Sequence, residues 1–142
     1  MTGITDPTPD LELGLIGNCQ ISALVDAQGT IVWGCFPRLD GAPVFSHLID
    51  GDNDRGHFAI ELQEQASCRQ YYLRNTPILC TELHDRHGGG LRLTDFAPRF
   101  AQYGRRFRPV MLVRQIEVLS GTPVARIRLR PTAGYGGDTH NV

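Results

Sequence analysis

The sequence contains no lysine. All 14 of its basic residues are arginine, 15 residues are acidic, and the formal net charge is −1. Nucleic acids and anionic membranes select proteins with a clear basic excess, so this balance argues against either as the main partner. The local exception is residues 105–108, where Phe107 stands among three arginines. That segment is either a solvated loop or a base-stacking element, and from the overall charge we expect no nucleic-acid partner.

The sequence also lacks paired cysteines and long apolar runs. Its cysteines are Cys19, Cys35, Cys68 and Cys80. No C-x-x-C occurs, so their spacing assembles no zinc site. Residues 1–10 are polar without the apolar region of a signal peptide, and no stretch approaches transmembrane length. We therefore expect a reduced, cytoplasmic protein with no membrane partner and a disordered tail at residues 1–10.

Catalytic signatures are missing as well. There is no G-x-S-x-G, no phosphate-binding loop and no Cys/His nucleophile pattern. Asp40, Asp95 and Glu117 have the side chain that glycoside hydrolysis needs, but nothing in their spacing pairs them. Asp95, amid apolar residues, either anchors turn amides near Pro98 or acts as a general acid or base. We expect no catalytic residue and no cofactor in this chain.

Two segments resemble metal sites without satisfying their requirements. Residues 50–54 with Glu61 imitate a calcium loop, but Arg55 occupies the position where the sharp turn needs glycine. The segment is therefore either a defective calcium loop or a solvated acidic turn, and we favour the turn. His84 and His87 form either a metal-binding pair or a polar hairpin tip, and no third ligand is placed by sequence. We predict no metal site.

The rest of the sequence has the pattern of short strands. With 142 residues the chain is one domain by size, and it shows turn signals at regular spacing, no internal repeat and no convincing amphipathic helix. Such a pattern predicts an all-β antiparallel sandwich with little or no helix. Residues 110–119 are apolar on both faces, which predicts a central strand. Within residues 124–129, alternation directs Ala125, Ile127 and Leu129 into the core.

The chain is organised around residues 29–45, which read GTIVWGCFPRLDGAPVF. The first part alternates as a strand on which Ile31, Trp33 and Cys35 share one face. Pro37 ends this strand, because proline offers no backbone donor and restricts the residue before it. Beyond the following loop, a single helical turn is an open alternative within residues 44–49.

That loop carries an Arg/Asp pair between two prolines, as a rigid sheet does when it presents polar groups outward. Arg38 and Asp40 either pair with each other or face a partner domain or ligand. Trp33 is either a core tryptophan or part of the presented surface. The candidate substrate-rim or interdomain residues are Trp33, Pro37, Arg38, Asp40 and Phe45.

A family resemblance follows from several motifs taken in order. They are LIGNCQISALV at 15–25, DxxGTIxWxCxPRxDxxxVF at 26–45, RQYY at 69–72, TxxLxT at 76–81, TDFxP at 94–98 and LVRxIExLSG at 112–121. Together they resemble the N-terminal domain of bacterial glycoside hydrolase family 15, the glucoamylase-like and trehalase-like enzymes. The specific part is the segment around residues 33–45, and the resemblance covers nearly the whole chain from residue 11.

The resemblance implies a β-sandwich, part of a larger supersandwich, followed by a helical (α/α)6 barrel. In that family the barrel holds two catalytic glutamates that invert the anomeric centre by activating a water. Neither has a counterpart in this chain. The resemblance thus implies a sandwich domain at residues 11–136 and a truncated end at 137–142, with the barrel absent.

The function implied is that of a non-catalytic domain of an α-glucoside hydrolase, which packs on the barrel and lends its loop to the active-site rim. One alternative is a stand-alone carbohydrate-binding module that binds an α-glucoside through exposed aromatics. Its candidate residues are Trp33, Tyr71, Tyr72 and Tyr103. The other alternative is a structural domain that forms a homo-oligomer through open strand edges.

Overall fold

A computed structural model of the protein describes residues 11–51 and 54–133 and the backbone of residues 138–139. The expected disordered tail at residues 1–10 lies outside the described residues, as does all but that backbone pair of the expected truncated end at 137–142. Within the described residues, no helix combines the length and the apolar character needed to cross a membrane.

The described chain folds into short antiparallel strands and one helical turn. The elements are β1 (Gly14–Gly17), β2 (Ser22–Val25), β3 (Ile31–Cys35), β4 (Pro43–Phe45), α1 (His47–Asp50), β5 (His57–Leu62), β6 (Gln65–Tyr72), β7 (Leu79–Asp85), β8 (Gly90–Phe96), β9 (Phe100–Gln102), β10 (Arg105–Phe107), β11 (Val113–Ser120), β12 (Ala125–Arg130), β13 (Thr132–Ala133) and β14 (Asp138–Thr139). The helical turn that the sequence left open within 44–49 is present as α1.

Two sheets make up the body of the molecule. The first has the order β1-β2-β3-β5-β12, with β4 also paired to β3, and the second has the order β11-β8-β7-β6. Two small two-stranded sheets, β9 with β10 and β13 with β14, complete the described fold. The apolar faces of the two main sheets pack on each other, which confirms the predicted all-β antiparallel sandwich.

The core between the sheets consists of two apolar clusters. The first contains Ile16, Ala23, Val25, Ile31, Phe45 and Leu79, and the second contains Ile60, Leu62, Leu83, Leu91 and Leu93. Phe58 packs against both clusters, so the core is continuous. Removing these side chains from water supplies most of the favourable free energy of folding.

A bulge in β3 changes the face on which Trp33 lies. Leu24 is opposite Trp33 while the next residue of β2, Val25, is opposite Ile31, so β3 has one extra residue here. Because side chains alternate along β2, Ile31 and Trp33 point to opposite faces. Ile31 is in the core, whereas Trp33 is half-buried on the outer face. The expected shared face of Ile31, Trp33 and Cys35 is therefore wrong.

The expectation of a central strand at residues 110–119 is also wrong. β11 is the edge strand of its sheet and pairs only with β8 among the described residues. Ile116 and Val118 lie opposite the core residues Leu93 and Leu91, yet both are exposed. Apolar character on both faces indicated burial here, but no described element covers this edge.

β12, the edge strand of the other sheet, also exposes apolar side chains that face inward. Ile127 and Leu129 lie opposite Ile60 and Phe58, so they point inward as the alternation predicts. They are nevertheless exposed, as is Ala125, because no described strand of the second sheet lies over them. The predicted inward direction of these β12 side chains is therefore right, and their predicted burial in the core is wrong. We call the inward-facing but exposed residues of both edges the open side: Ile116, Val118, Ile127 and Leu129.

A buried ion pair joins the two sheets beside the open side. Arg114 of β11 donates to both oxygens of the Asp95 carboxylate, with Nε–Oδ1 at 2.7 Å and Nη2–Oδ2 at 2.9 Å. The same guanidinium donates across the sandwich to the carbonyls of Phe58 at 2.8 Å and Gly29 at 2.5 Å. It also lies over the Phe58 ring, 4.8 Å from its centroid. Arg114 therefore satisfies backbone acceptors of one sheet and a carboxylate of the other.

Candidate functional site

The loop after β3 presents the Arg/Asp pair to solvent. Arg38 Nη2 lies 2.6 Å from Asp40 Oδ2, and the two side chains are 68% and 70% exposed. The loop is closed by the Gly41 amide, which donates to the Arg38 carbonyl at 3.1 Å. An exposed pair of this kind contributes little to stability, so the charges remain available to a group outside the chain.

The other residues of the predicted site lie in different environments around this loop. Phe45 is buried in the core, and its ring meets the ring of Phe36 edge to face at 6.4 Å. Pro37, whose peptide bond with Phe36 is cis, is exposed at the start of the loop. Trp33 is half-buried on the outer face of the first sheet. The structure thus separates the set into exposed residues on the loop, which are Pro37, Arg38 and Asp40, and residues of the first sheet that are partly or fully buried, which are Trp33 and Phe45.

A turn at residues 18–20 lies behind the loop and connects it to another segment. Asn18 is 2% exposed, and its Oδ1 accepts from the Gln20 and Ile21 amides at 3.0 and 3.2 Å. Its Nδ2 donates to the carbonyls of Pro98 at 2.9 Å and Pro109 at 2.8 Å. The Gln20 side chain reaches the carbonyl of Pro37 at 3.5 Å. The turn therefore contacts both the presented loop and the two ends of residues 99–108.

We call residues 99–108 the arm. It comprises the strands β9 and β10, and every residue of both strands is exposed. Phe100 and Phe107 stack with ring centroids 5.3 Å apart, and Tyr103 at the tip is 89% exposed. Sequence reasoning considered Phe107 together with the arginines at 105–108 but did not extend the segment to Phe100 and Tyr103, and so did not predict a hairpin here.

The remaining carboxylate candidates are all engaged in ion pairs. Asp95 is fully buried and paired with Arg114, so it anchors the fold through a guanidinium rather than through turn amides. Glu117 contacts Arg92 at 3.3 Å on the outer face of the second sheet. With Asp40 on its loop, the three carboxylates stand in three separate environments. The structure does not assemble them into a catalytic pair.

In the segments that resemble metal sites, acidic side chains and a histidine form ion pairs. Asp50 pairs with Arg55 at 3.0 Å, and Glu61 pairs with Arg128 at 3.2 Å. Residues 52 and 53 of the imitated calcium loop lie outside the described residues. His87 pairs with Glu64. In the described ranges no three His, Cys, Asp or Glu side chains converge as a metal would require.

A small polar cavity of about 190 Å³ lies on the outer face of the first sheet. It is lined by Asp26, Thr30, His47, His57, Ala59, Glu61 and Arg128. Burial raises the pKa of Asp26 and lowers the pKa of His57, while the Thr30 amide donates to Asp26 at 2.8 Å. The rings of His47 and His57 meet at 5.7 Å. Glu61 and Arg128, which also line this cavity, pair with each other at 3.2 Å.

The cysteines are all free. Cys35 and Cys80 are buried in strands, where the apolar pattern places them. Burial raises the pKa of the Cys35 and Cys68 thiols, which disfavours the reactive thiolate. Cys35 and Cys80 therefore pack as small hydrophobes, whereas Cys19 is exposed.

Comparisons with known proteins place this arrangement in a family. The model of the family described as "Trehalase-like, N-terminal" matches residues 4–141. The chain is 37% identical over 127 residues to a trehalase of Thermoplasma volcanium, covering 88% of this chain and 20% of that protein. It is 34% identical over 114 residues to a trehalase of Thermoplasma acidophilum, covering 79% of this chain and 19% of that protein.

A more distant relative is a trehalase of Mycolicibacterium smegmatis, 29% identical over 58 residues, which are 40% of this chain and 8% of that protein. No solved structure matches the chain significantly. The chain spans about a fifth of the length of the two Thermoplasma proteins. On the match of the family model to nearly its whole length, the chain belongs to the family of trehalase-like N-terminal domains.

Proposed function

We propose that this chain is the non-catalytic N-terminal domain of a cytoplasmic trehalase-type or glucoamylase-type α-glucoside hydrolase of glycoside hydrolase family 15. In this proposal it packs on a catalytic (α/α)6 barrel of the same polypeptide and lends the loop at residues 37–45 to the rim of the active site. The observation that carries the proposal is the Arg38–Asp40 pair, held out in solvent on a loop whose base is packed into the core by Phe45. No metal or cofactor has a role in it.

The open side supports the same proposal. The edge strands β11 and β12 expose inward-facing Ile, Val and Leu side chains. Both strands lie on one side of the sandwich, because Arg114 of β11 donates to the carbonyl of Phe58 in β5, and β5 is the neighbour of β12. Isolated domains avoid long apolar edges because such edges pair with other chains. Further polypeptide of a longer hydrolase would cover them.

The test is made in the full-length hydrolase that contains this domain. Arg38→Ala is expected to lower kcat/KM for trehalose or maltose about tenfold, or to lower the melting temperature of the whole protein by a few degrees. Arg74→Ala, an exposed arginine in the turn after β6, is the matched control and is expected to leave both unchanged. Wild-type kinetics and melting in the Arg38→Ala protein would remove the loop from the active-site rim and from the domain interface.

A stand-alone carbohydrate-binding module has less support. Tyr71 donates its hydroxyl to Glu82, and the Tyr72 hydroxyl bonds the backbone of Leu15, so these rings serve the fold. Titrating the 142-residue chain with trehalose and maltose while recording the fluorescence of Trp33, its single tryptophan, distinguishes the two. A saturable change would favour the binding module over the docking domain.

A further inference from the structure

We propose that the arm, residues 99–108, is a second docking element, which binds a carboxylate-bearing surface of the polypeptide that follows this domain in the parent hydrolase. The inference rests on the proposed function, because it requires that longer polypeptide.

The composition of the arm differs from that of the rest of the chain. Residues 99–108 read RFAQYGRRFR, with four arginines, three aromatics and no acidic residue, in a chain whose formal net charge is −1. Arginine and aromatic side chains are the residues most enriched at the centres of protein interfaces. A guanidinium pairs with a carboxylate through two parallel hydrogen bonds, so the composition predicts an acidic partner surface.

The arm exposes apolar surface that its own fold does not bury. Phe100 and Phe107 face each other across β9 and β10 and stack outside both core clusters, 46% and 38% exposed. A two-stranded hairpin gains little stability by itself in water. Stacked rings with this exposure provide a preformed apolar anchor for a partner.

Hydrogen bonds hold the two ends of the arm, although the strands of the arm are exposed. Asn18 is buried and donates one hydrogen bond to the carbonyl on each side of the arm, at Pro98 and Pro109. Holding both ends in the free domain reduces the conformational entropy that binding would otherwise cost. Asn18 is therefore a positioning residue for the arm.

The arm and the presented loop lie at one end of the sandwich. The turn at residues 18–20 contacts both, through Asn18 at the base of the arm and Gln20 at Pro37. Arg99 Nη1 also lies 3.6 Å from the sulfur of Cys19 in that turn. A partner that meets the Arg38–Asp40 pair would thus meet the arm as well.

Charge pairing within the chain decides between possible occupants. Among the described residues, Arg105, Arg106 and Arg108 have no ion pair or side-chain hydrogen bond. The carboxylates of the described residues already have partners, which are arginine or histidine side chains for most of them and turn amides for Asp26 and Asp85. A second copy would therefore offer the arm mainly carboxylates that are already paired, so the charges favour the further polypeptide of the parent protein as the occupant.

The test compares amide hydrogen exchange of residues 99–108 in the full-length hydrolase and in the 142-residue chain. We expect exchange at least tenfold slower in the full-length protein, and loss of that protection in Arg105→Glu/Arg106→Glu. The control Arg74→Glu/Arg86→Glu changes two exposed turn arginines elsewhere and is expected to retain protection. Tyr103→Ser, at the exposed tip, is a second variant that keeps the charge of the arm, and it is also expected to reduce the protection. Equal exchange rates in the two wild-type proteins would overturn the proposal.

Two further measurements on the 142-residue chain test whether the arm binds a different occupant. Salt-dependent binding of a fluorescent single-stranded oligonucleotide of about 20 nucleotides, lost in Arg105→Glu/Arg106→Glu, would overturn the proposal in favour of nucleic acid. A dimer in sedimentation that disappears with the same variant would overturn it in favour of a second copy.

Trehalose hydrolysis by the full-length protein separates this inference from the proposed function. Activity together with a freely exchanging arm contradicts the inference alone. A protected arm without hydrolysis of trehalose or maltose supports docking and contradicts the proposed hydrolase.

Discussion

Arg114 illustrates how one residue connects the two sheets. Its guanidinium binds Asp95 in its own sheet, the carbonyl of Phe58 in the other sheet and the carbonyl of Gly29 in the turn before β3, and both charged side chains are almost completely buried. Taking two charges out of water is costly, and only a complete set of hydrogen bonds offsets that cost. The arrangement is stable as a whole and sensitive to the loss of either partner.

We predict that Arg114→Met destabilises the 142-residue chain by about 3–5 kcal/mol, because it leaves the Asp95 carboxylate buried without a partner. Equilibrium unfolding in urea measures the change. The double variant Arg114→Met/Asp95→Leu is expected to be less destabilised than Arg114→Met alone, since it removes the unpaired charge. Arg38→Ala breaks an exposed pair and should leave the unfolding midpoint unchanged; a loss as large as that of Arg114→Met would contradict this distinction.

Glu82 occupies the centre of a row of alternating charges on the outer face of the second sheet. Arg69, Glu82, Arg92 and Glu117 are register partners across β6, β7, β8 and β11. Hydrogen bonds from Tyr71 at 2.8 Å and from Arg92 at 3.0 Å lower the pKa of Glu82 to about 2. The row stabilises the sheet by cross-strand pairing.

We predict that Glu82→Gln destabilises the chain by about 2 kcal/mol at pH 7, because hydrogen bonds to a charged acceptor are lost. The pKa in the folded state is below the value of 4.5 expected without these bonds, so the contribution is complete above pH 4.5 and disappears as the pH falls towards 2. Urea unfolding of both proteins at several pH values between 7 and 2 checks this. A difference that is constant over that interval would show that ionisation of Glu82 is not its source.

At the scale of elements, neighbouring strands show the same alternation with different burial. Ile127 of β12 and Ile60 of β5 are register partners on the inner face, yet they are 59% and 3% exposed. The difference arises because the second sheet covers β5 and does not extend over β12 in the described structure. The alternation along a strand determines which way a side chain points, and coverage by the opposite sheet determines whether that side chain is buried.

We predict that Ile60→Ala costs about 2–4 kcal/mol in the 142-residue chain, since it leaves a cavity in the core. Ile127→Ala should cost less than about 1 kcal/mol, because little of its side chain is removed from water. Urea unfolding of the two variants, which carry the same substitution at paired positions, measures the contrast. Equal losses would mean that β12 is covered in solution.

At the scale of the whole molecule, the open side leaves two adjacent edges exposed to other chains. Ile116 and Val118 on β11 and Ile127 and Leu129 on β12 form an apolar surface of the kind that promotes edge-to-edge pairing. Three arginines on the outer face of β12 oppose symmetric pairing of that strand with itself.

We predict that the 142-residue chain associates weakly in a concentration-dependent manner through the open side. In sedimentation velocity, Val118→Asp/Ile127→Asp is expected to shift the protein towards monomer, because a charge replaces an apolar side chain on each edge. Ile49→Asp, which changes an equally exposed apolar residue in α1, is the control and should not affect association. A wild-type chain that remains monomeric at all concentrations would contradict the prediction.

The sequence alone determined the strands of the two main sheets apart from β4, the turns between them, the all-β class and the exposed Arg38–Asp40 loop. These features depend on local periodicity, on Pro37 and on the Asp26 and Gly29 turn chemistry, which act over a few residues. The motifs around residues 33–45 also determined the family to which the chain belongs.

Only the tertiary structure decided which apolar residues are covered and which polar groups meet. The bulge in β3 turns Trp33 to the outer face, the edge positions of β11 and β12 expose their inward residues, and Asp95 finds Arg114 19 positions away. Asn18 likewise reaches Pro98 and Pro109 over 80 and 91 positions, which joins the arm to the presented loop. Contacts at such separations depend on how the sheets pack, and no local pattern contains that information.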